Sequence, residues 1–428
     1  MKNKFIKNTI VLIIGGFITK ILGLIIKVIM TRNIKESAIG LYMLILPSYN
    51  LFITLVNSGL EISVSKMISS NKISKRKIMS TALTISFIIG IIIVILILAL
   101  AKPISIILHN DDLYIPILSM ILSIPFIGIS SVLKGYLFGL NKMHANVISN
   151  FFEQTVRIIM FIYFLPKIDN NILAVTFIIG SNIINEVLSC FILSLFINKK
   201  ISIKEFKIDK DIKKEIFSTS IPSTASRLVG TISYFFEPIL ITNLLLINGY
   251  SSRYITTEYG ILTGYSMQLL MLPSFFSMAI SQSIIPLISN AYSNKRYNYI
   301  KRKIKEILLL SFLIGFIYVI IININPEFFM KLIYNTNLGS KYIRIMSPIF
   351  ILLYIESPLA SILQSMNMAK ESMKTTIKGI FIKIILMIML SYMHIGIYSL
   401  IYPILINIIY VTVHNFFIIK TSLPFKNE

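Results

Sequence analysis

The amino-acid sequence predicts an all-α polytopic membrane protein with about twelve transmembrane helices. Residues 78–101 and 307–326 contain no charged side chain over 24 and 20 consecutive positions, and about 20 apolar residues span the hydrocarbon core of a bilayer. Only 14% of all residues are charged, compared with about 25% in soluble domains. Apolar stretches of this kind recur along the whole chain, which excludes a soluble globular protein.

The predicted helices follow one another with short connections. The first begins near the amino terminus, where the sequence is similar to a signal peptide but lacks a small-residue cleavage site. The seventh and eighth spans are longer than one crossing requires and contain two prolines each, so we expect tilted or kinked helices there. The twelve predicted spans cover residues 6–30, 39–65, 78–101, 113–138, 144–165, 171–197, 216–247, 258–291, 306–325, 342–367, 373–392 and 395–419.

Lysine and arginine side chains in the loops predict the orientation of the chain. With a cytoplasmic amino terminus, 26 of them lie in inner loops and 8 in outer loops, as the positive-inside rule requires. We therefore predict that both termini are cytoplasmic. The net charge of +23 is concentrated in these loops, which contact anionic lipid headgroups, so we expect no nucleic-acid partner.

A weak internal repeat divides the chain into two halves. Three matches occur at an offset of 226 residues: Leu46-Pro47-Ser48 with Leu272-Pro273-Ser274, Asn141 with Asn367, and Arg157 with Lys383. The basic loop 198–215 separates the halves, so we predict an amino-terminal six-helix lobe at residues 1–205 and a carboxy-terminal one at 206–428. An even number of spans gives both lobes the same orientation, with a pseudo-two-fold axis along the membrane normal, an arrangement typical of alternating-access transporters.

Residue types that support enzymatic or metal chemistry are scarce. Cys190 is the single cysteine, which excludes a disulfide framework and a cysteine-rich metal site. The four histidines have no ligand spacing. We therefore expect no enzyme activity, no metal and no cofactor, with a coupling cation or the membrane potential as the source of energy for transport.

Charged residues within the predicted spans are the main candidates for a functional site. A charge at the bilayer centre costs roughly 2.5–3.5 kcal/mol, so such residues usually face a cavity or a partner. The basic ones are Lys20, Lys27, Lys134, Arg157, Arg227, Lys378 and Lys383. The acidic ones are Glu61, Glu153, Glu186, Glu237 and Glu356. Because the cations outnumber the acids by 7 to 5, we predict a water-filled cavity that accepts an anionic substrate.

Sequence spacing indicates how some of these charges are placed. Lys20 and Lys27 are two helical turns apart and point in the same direction, although Lys27 lies near the outer end and either lines the cavity or extends to the headgroups. Glu153 and Arg157 are spaced i, i+4 with the acid first, the favourable order for an intrahelical ion pair. Lys134 is predicted near the cytoplasmic end of its span, where it can reach the headgroups.

A charge beside a helix kink is a frequent feature of transporters, and Glu237 directly precedes a proline. For Glu61, Glu186 and Glu356 the sequence indicates no partner, and a role in helix packing stays open. The predicted substrate cavity is lined by Lys20, Lys27, Glu153, Arg157, Arg227, Glu237 and Lys383.

A series of short motifs is specific in its order and spacing, although no single motif is diagnostic. These motifs are Thr19-Lys20-Ile21-Leu22-Gly23 with Lys27, Ile39-Gly40-Leu41-Tyr42, Leu46-Pro47-Ser48-Tyr49, residues 57–66, Ser130 to Tyr136, Glu153-Gln154 with Arg157, Ile221-Pro222 with Arg227, Tyr259 to Gly264, and Leu272-Pro273-Ser274. Together they resemble the stage V sporulation protein B family of polysaccharide-biosynthesis flippases, over nearly the whole chain.

The resemblance implies membership of the multidrug/oligosaccharidyl-lipid/polysaccharide exporter superfamily, which includes the lipid II flippases. It implies a monomer in the bacterial cytoplasmic membrane that moves a lipid-linked sugar pyrophosphate from the inner to the outer leaflet, for peptidoglycan, other cell-wall polymers or sporulation. In the lipid II flippases the central cavity is cationic, with basic residues where Lys20 lies and close to Lys27. The family usually has two further spans after the twelfth, which can form a lipid-binding groove.

Two alternatives remain open at this point. A cation-coupled multidrug exporter of the same superfamily would use an acid as its ion site, with Glu61 or Glu237 as candidates. A membrane glycosyltransferase would use Asn110-Asp111-Asp112 to hold a metal ion, although an acidic pair in a loop is usually a solvated turn.

Overall fold

The computed structural model describes residues 2–70, 73–197 and 208–423, and these are helical apart from short connections, with no strand among them. The chain forms two compact units, unit 1 at Met1–Leu240 and unit 2 at Ile241–Glu428. The predicted boundary between residues 205 and 206 lies outside the described residues and stays a prediction. The all-α prediction is confirmed.

Unit 1 contains nine helices and most of a tenth. They are α1 Lys2–Asn33, α2 Glu36–Asn57, α3 Leu60–Ser70, α4 Lys75–Ile107, α5 Tyr114–Ser119, α6 Ile124–Gly139, α7 Met143–Phe164, α8 Asn171–Gly180, α9 Asn182–Leu195 and α10 Lys210–Ile247. Short 3₁₀ turns flank α5, at Asp111–Leu113 and Met120–Leu122. The division between the two units falls within α10.

Unit 2 continues from the end of α10. Its helices are α11 Ser252–Gly260, α12 Met267–Leu270, α13 Ser274–Ser293, α14 Tyr297–Ile324, α15 Pro326–Tyr334, α16 Ser340–Ser365, α17 Ala369–Ser391 and α18 Tyr398–Ser422. A π-helical turn at Ile261–Ser266 joins α11 to α12. Its buried core lies between α13, α14, α16 and α18, and includes Ile284, Ile304 and Ile362.

Each of the twelve predicted spans coincides with helical residues in the structure, but several spans are built from two helices in series. The second consists of α2 and α3, the sixth of α8 and α9, and the fourth bends by 40° between Asp111–Leu122 and Ile124–Gly139. Within the described part of the chain, eight helices are long and apolar enough to cross a membrane, and the bent pair would be a ninth. The protein is therefore a multi-pass membrane protein, while the count of twelve crossings stays a prediction.

The two proline-containing long spans differ in structure. The seventh is the single 38-residue helix α10, which continues through Pro222 and Pro238. At about 1.5 Å per residue it is longer than the bilayer core of about 30 Å. The eighth is interrupted at residues 271–273, and α13 begins directly after Pro273. Proline breaks the helix in this second case because it cannot supply the backbone hydrogen bond.

The break between α2 and α3 depends on two residues with left-handed backbone conformation. Ser58 has φ 38° and Gly59 has φ 62°, a region that favours glycine. A Cβ on Gly59 would also lie 2.9 Å from the backbone oxygen of Ser220 on α10. The chain therefore turns here and places the start of α3 directly against α10.

Helices α3 and α6 approach each other closely at a second glycine. A Cβ on Gly135 would lie 2.5 Å from the backbone oxygen and 2.9 Å from the Cα of Glu61. Around this crossing, a buried core of Leu60, Val64, Ile78, Val132 and Leu137 joins α3, α4 and α6. Small residues at helix crossings increase van der Waals contact, which stabilises helix association in lipid.

The internal repeat has a structural counterpart at the ends of two helices. Asn141 follows α6 with φ 57°, and Asn367 follows α16 with φ 62°. Their amides donate to the carbonyls of Phe138 and Gln364, at 2.9 and 3.1 Å, and α7 and α17 each begin two residues later. The same turn thus occurs at corresponding positions of the two units, where an asparagine adopts the left-handed conformation at a helix end.

The Gly135 crossing generates a stability prediction. We expect Gly135→Ala to destabilise the folded protein by about 1–3 kcal/mol, because the methyl group would overlap the backbone of α3 rather than a movable side chain. Denaturant unfolding of the purified protein in detergent measures this change.

The matched control is Gly23→Ala in α1, where an added Cβ meets no atom within 4 Å. It should leave stability unchanged or raise it slightly, since alanine favours helix. Equal unfolding free energies for the two variants would contradict the proposed close contact between α3 and α6.

Candidate functional site

Helix α1 presents two of the predicted cavity residues. The side chains of Lys20 and Lys27 are both exposed, and their positive charges act on each other. Helix α1 packs against α7. Two cations therefore lie along one membrane-spanning helix, beside the helix that carries Glu153 and Arg157.

The Glu153 carboxylate is the centre of a buried polar cluster in unit 1. Glu153 lies on α7 and is 7% exposed. Its Oε1 atom is 3.5 Å from the Nζ of Lys134 on α6 and accepts a hydrogen bond of 2.9 Å from the Ser149 hydroxyl. The lysine and the carboxylate compensate each other's charge, which burial in a low dielectric requires.

A second carboxylate, Glu186 on α9, faces the same lysine. Its Oε2 atom accepts a hydrogen bond of 2.6 Å from the Ser130 hydroxyl on α6, and the charges of Lys134, Glu153 and Arg157 all act on it. Lys134 therefore lies between two carboxylates that come from different helices.

Arg157 is one turn after Glu153 on α7, and its hydrogen bonds go to amide oxygens. Its Nη2 atom donates to Oδ1 of Asn182 at 2.6 Å. The hydrogen-bond pattern orients the Asn185 amide so that its oxygen accepts from Nε and Nη2 of Arg157, at 3.0 and 3.2 Å, while its nitrogen donates to the Glu153 carbonyl at 3.1 Å. Two α9 asparagines thus hold the guanidinium without neutralising it.

Small polar residues bring these three helices together. Helices α6, α7 and α9 pack on one another, and the hydroxyls of Ser149 and Ser189 are 2.9 Å apart at the α7–α9 contact. Both serines are fully buried. Short side chains allow close approach and supply hydrogen bonds across helices in lipid. We call the group Lys134, Glu153, Arg157 and Glu186 the α6–α7–α9 charge cluster.

The other predicted site residues lie on other helices. Arg227 is exposed on α10 and its charge acts on Glu61 of α3, which also faces Lys134. Glu237 is buried on α10 with 8% exposure. Lys383 is partly buried on α17 and belongs to unit 2.

The predicted intrahelical ion pair is wrong. Glu153 pairs with Lys134 of a neighbouring helix, and Arg157 instead reaches across to Asn182 on α9. The Nζ atom of Lys134 on α6 points to the Glu153 carboxylate of α7, while its predicted position near the cytoplasmic end of the span stays a prediction. Spacing of i, i+4 brings two side chains within reach, but a partner on a packed helix can satisfy the charge better.

Glu186 and Lys134 were candidates by sequence but were not assigned to the predicted cavity. Both are charged residues inside predicted spans. A charged side chain within the bilayer costs free energy, and this was the signal that could have indicated a role for them. The order of the helices does not reveal that α6, α7 and α9 pack as a trio, so their pairing was not predictable.

The acidic loop proposed for a glycosyltransferase is a locally paired turn. Asp111 accepts from Lys102 at 2.7 Å, and the Asn110 side chain accepts from the amide of Asp112 at 3.1 Å. These contacts are those of a capped 3₁₀ turn at the end of α4.

The charge cluster has the chemistry of an anion site beside a proton-accepting site. A guanidinium has five N–H donors in a planar fork and forms short, charge-assisted hydrogen bonds to phosphate oxygens. Arg157 donates hydrogen bonds from some of these N–H groups to neutral side-chain amides, and its side chain is partly exposed. The two carboxylates share Lys134 and keep the group electrically balanced.

Comparison with protein families identifies similar sequences over most of the chain. Residues 5–292 match the model of the family described as polysaccharide biosynthesis protein, and residues 262–389 match the model described as MatE. Stage V sporulation protein B of Bacillus subtilis is 32% identical over 400 residues, which cover 89% of this chain and 77% of that protein. The lipid II flippase MurJ of Bacillus subtilis is 23% identical, over 90% of this chain and 77% of that protein.

A solved structure with the same fold is an inward-facing multidrug resistance MATE family transporter of the MOP superfamily. The superposition has a TM-score of 0.79 and covers 95% of this chain and 94% of the transporter. The sequences are 13% identical, so this likeness establishes the fold alone.

The Lys134–Glu153 pair generates a second stability prediction. Lys134→Met should destabilise the protein by about 3–5 kcal/mol, because it leaves a buried carboxylate without its cation. Adding Glu153→Gln should restore most of that loss, since both charges are then removed. Denaturant unfolding of the three proteins in detergent measures both effects.

The control is Lys374→Met, which removes the lysine of an exposed ion pair with Glu371. Exposed pairs contribute little, so this variant should unfold like the wild type. A double variant less stable than Lys134→Met alone would contradict the account of the cluster.

Proposed function

This chain belongs to the polysaccharide biosynthesis protein family, and we propose that it is a flippase for a lipid-linked sugar or peptidoglycan precursor. It carries the anionic headgroup of that lipid from the inner to the outer leaflet of the bacterial cytoplasmic membrane. The lipid tail stays in the bilayer while the headgroup passes through a polar path. The protein makes and breaks no covalent bond.

The observation that carries this proposal is the set of cations on membrane-spanning helices. Lys20 and Lys27 are exposed on α1, and Arg157 is held by neutral amides next to that helix. Cations at membrane depth are costly and mark substrate pathways. A pyrophosphate carries the opposite charge, and its oxygens accept the hydrogen bonds that these side chains donate.

We assign the pyrophosphate to Lys20, Lys27, Arg157 and Arg227. Glu153 belongs to the α6–α7–α9 charge cluster, and Glu237 and Lys383 are the remaining members of the proposed substrate cavity. Alternating access of the two lobes would then expose these residues to one side of the membrane at a time. A coupling cation or the membrane potential drives the cycle.

The orientation follows from the loop charges. The excess of lysine and arginine in the inner loops places both termini in the cytoplasm. The protein acts as a monomer, with the lipid-linked substrate and the surrounding lipids as its partners.

A cation-coupled multidrug exporter is the second candidate. It is favoured by the match of residues 262–389 to the MatE model. Its ion site would need Glu61 or Glu237. Drug resistance of an expressing strain and ion-driven dye efflux separate this function from lipid translocation.

Complementation of a strain that lacks its peptidoglycan flippases tests the flippase function. Wild-type protein should restore growth, and Lys20→Ala should lower complementation at least tenfold, because the variant removes a charge that contacts the pyrophosphate. Lys20→Arg should retain activity, since it keeps the charge. Membrane fractions probed by immunoblot check that each variant is present in equal amounts.

The matched control is Lys374→Ala, which removes a lysine from the exposed start of α17. It should complement like the wild type. Full complementation by Lys20→Ala would rule out its place in the path. Drug resistance of the expressing strain without complementation would favour the exporter.

A further inference from the structure

We propose that Glu186 is a proton-binding site, and that binding of an anion at Arg157 loads it with a proton. This inference rests on the proposed function for the identity of the anion, which is the pyrophosphate of a lipid-linked substrate. The protonation site itself rests on the geometry of α6 and α9.

The hydrogen bonds around Glu186 suit both the ionised and the protonated carboxyl group. The Ser130 hydroxyl lies 2.6 Å from Oε2 of Glu186 and 3.0 Å from the carbonyl oxygen of Ile127. Its one hydrogen can serve either acceptor. With Glu186 ionised, Ser130 donates to the carboxylate. With Glu186 protonated, the acid donates to the Ser130 oxygen, and the serine hydrogen turns to Ile127, so every group keeps a partner.

The charge balance of the cluster links this proton to the substrate. At rest, Lys134 and Arg157 compensate Glu153 and Glu186, two charges against two. An anion bound to Arg157 neutralises the guanidinium and leaves Lys134 alone with two carboxylates. An unbalanced charge inside a helical unit is costly, and uptake of one proton by a carboxylate restores the balance.

Of the two carboxylates, Glu186 is the one placed to take the proton. Glu153 is buried and contacts Lys134 directly, so protonation there would break the ion pair. Glu186 is partly exposed and is hydrogen-bonded to a neutral hydroxyl. Protonation of Glu186 would therefore neutralise it while the Lys134–Glu153 pair stays intact.

The groups that face Glu186 come from several helices. The charges of Lys134 on α6 and of Glu153 and Arg157 on α7 act on it. Two further titratable groups are close, Tyr49 on α2 and Cys190 on α9 itself. Both are neutral at physiological pH by their ordinary titration ranges. Glu61 on α3 also acts on Lys134 and is itself acted on by Arg227 of α10, and this added acid and added cation leave the balance of the four-member cluster unchanged.

The second half of the repeat does not contain this site. Helices α6 and α7 correspond to α16 and α17 at an offset of 226 residues, and α8–α9 corresponds to α18 at an offset of 227. The positions equivalent to the lysine and the two carboxylates are Ala360, Gly379 and Val413. Proton binding of this kind is thus assigned to unit 1.

Proton uptake can be measured directly with undecaprenyl pyrophosphate and the purified full-length protein in lipid nanodiscs. Titration calorimetry in two buffers of different ionisation enthalpy gives the number of protons taken up per bound lipid. The wild type should take up about one proton at neutral pH. Glu186→Gln should bind the lipid with no linked proton, because the amide cannot titrate.

Two further variants make the result specific. Ser130→Ala removes a hydroxyl whose charge-assisted hydrogen bond stabilises the ionised carboxylate more than the neutral acid, so Glu186 should already be protonated and proton uptake should fall. Glu371→Gln, an exposed carboxyl far along the chain on α17, should retain the wild-type uptake. Size-exclusion chromatography and thermal unfolding confirm that each variant is folded.

Infrared difference spectroscopy tests the protonation site without any lipid. On acidification the wild type should gain one carbonyl stretch of a protonated carboxylic acid that Glu186→Gln lacks, because the other 17 acidic side chains titrate in both proteins. The same band in both proteins, or lipid binding by the wild type without proton uptake, would overturn the inference. Such results would leave the flippase function standing, since that function fails only if lipid translocation and complementation fail.

Discussion

A charged side chain within the bilayer needs partners that its own helical unit supplies, and unit 1 is organised around this requirement. Lys134, Glu153, Arg157 and Glu186 come from three packed helices and balance one another. The buried serines between these helices permit the close approach that the short contacts need. The proposed path for an anionic headgroup uses cations on α1 and α7.

The two units share helix geometry but not chemistry. The turns at Asn141 and Asn367 are alike in backbone conformation and hydrogen bonding, which indicates that one arrangement of helices was duplicated. The charge cluster occurs in unit 1 alone, where the equivalent positions of unit 2 carry alanine, glycine and valine. Our proposal of proton binding at Glu186 therefore concerns unit 1.

The sequence was sufficient to predict the fold class and the family, and the structure and the comparisons confirm both. Long apolar runs predict helices reliably because the bilayer sets their length. The break at Ser58 and Gly59 was not predicted, because it depends on backbone conformation and on close contact with α10. The pairing of Glu153 was predicted wrongly because helix periodicity relates residues within one helix, whereas its partner Lys134 comes from tertiary packing.

Translocation in a reconstituted system tests the central claim most directly. Purified protein is placed in liposomes that contain a fluorescently labelled undecaprenyl pyrophosphoryl sugar in both leaflets, and a membrane-impermeant reductant then bleaches the label in the outer leaflet. With wild-type protein, nearly all the label should become accessible, whereas Arg157→Met should leave the inner-leaflet label protected. The account would be contradicted if the inner-leaflet label stayed protected in liposomes with wild-type protein to the same extent as in liposomes without protein.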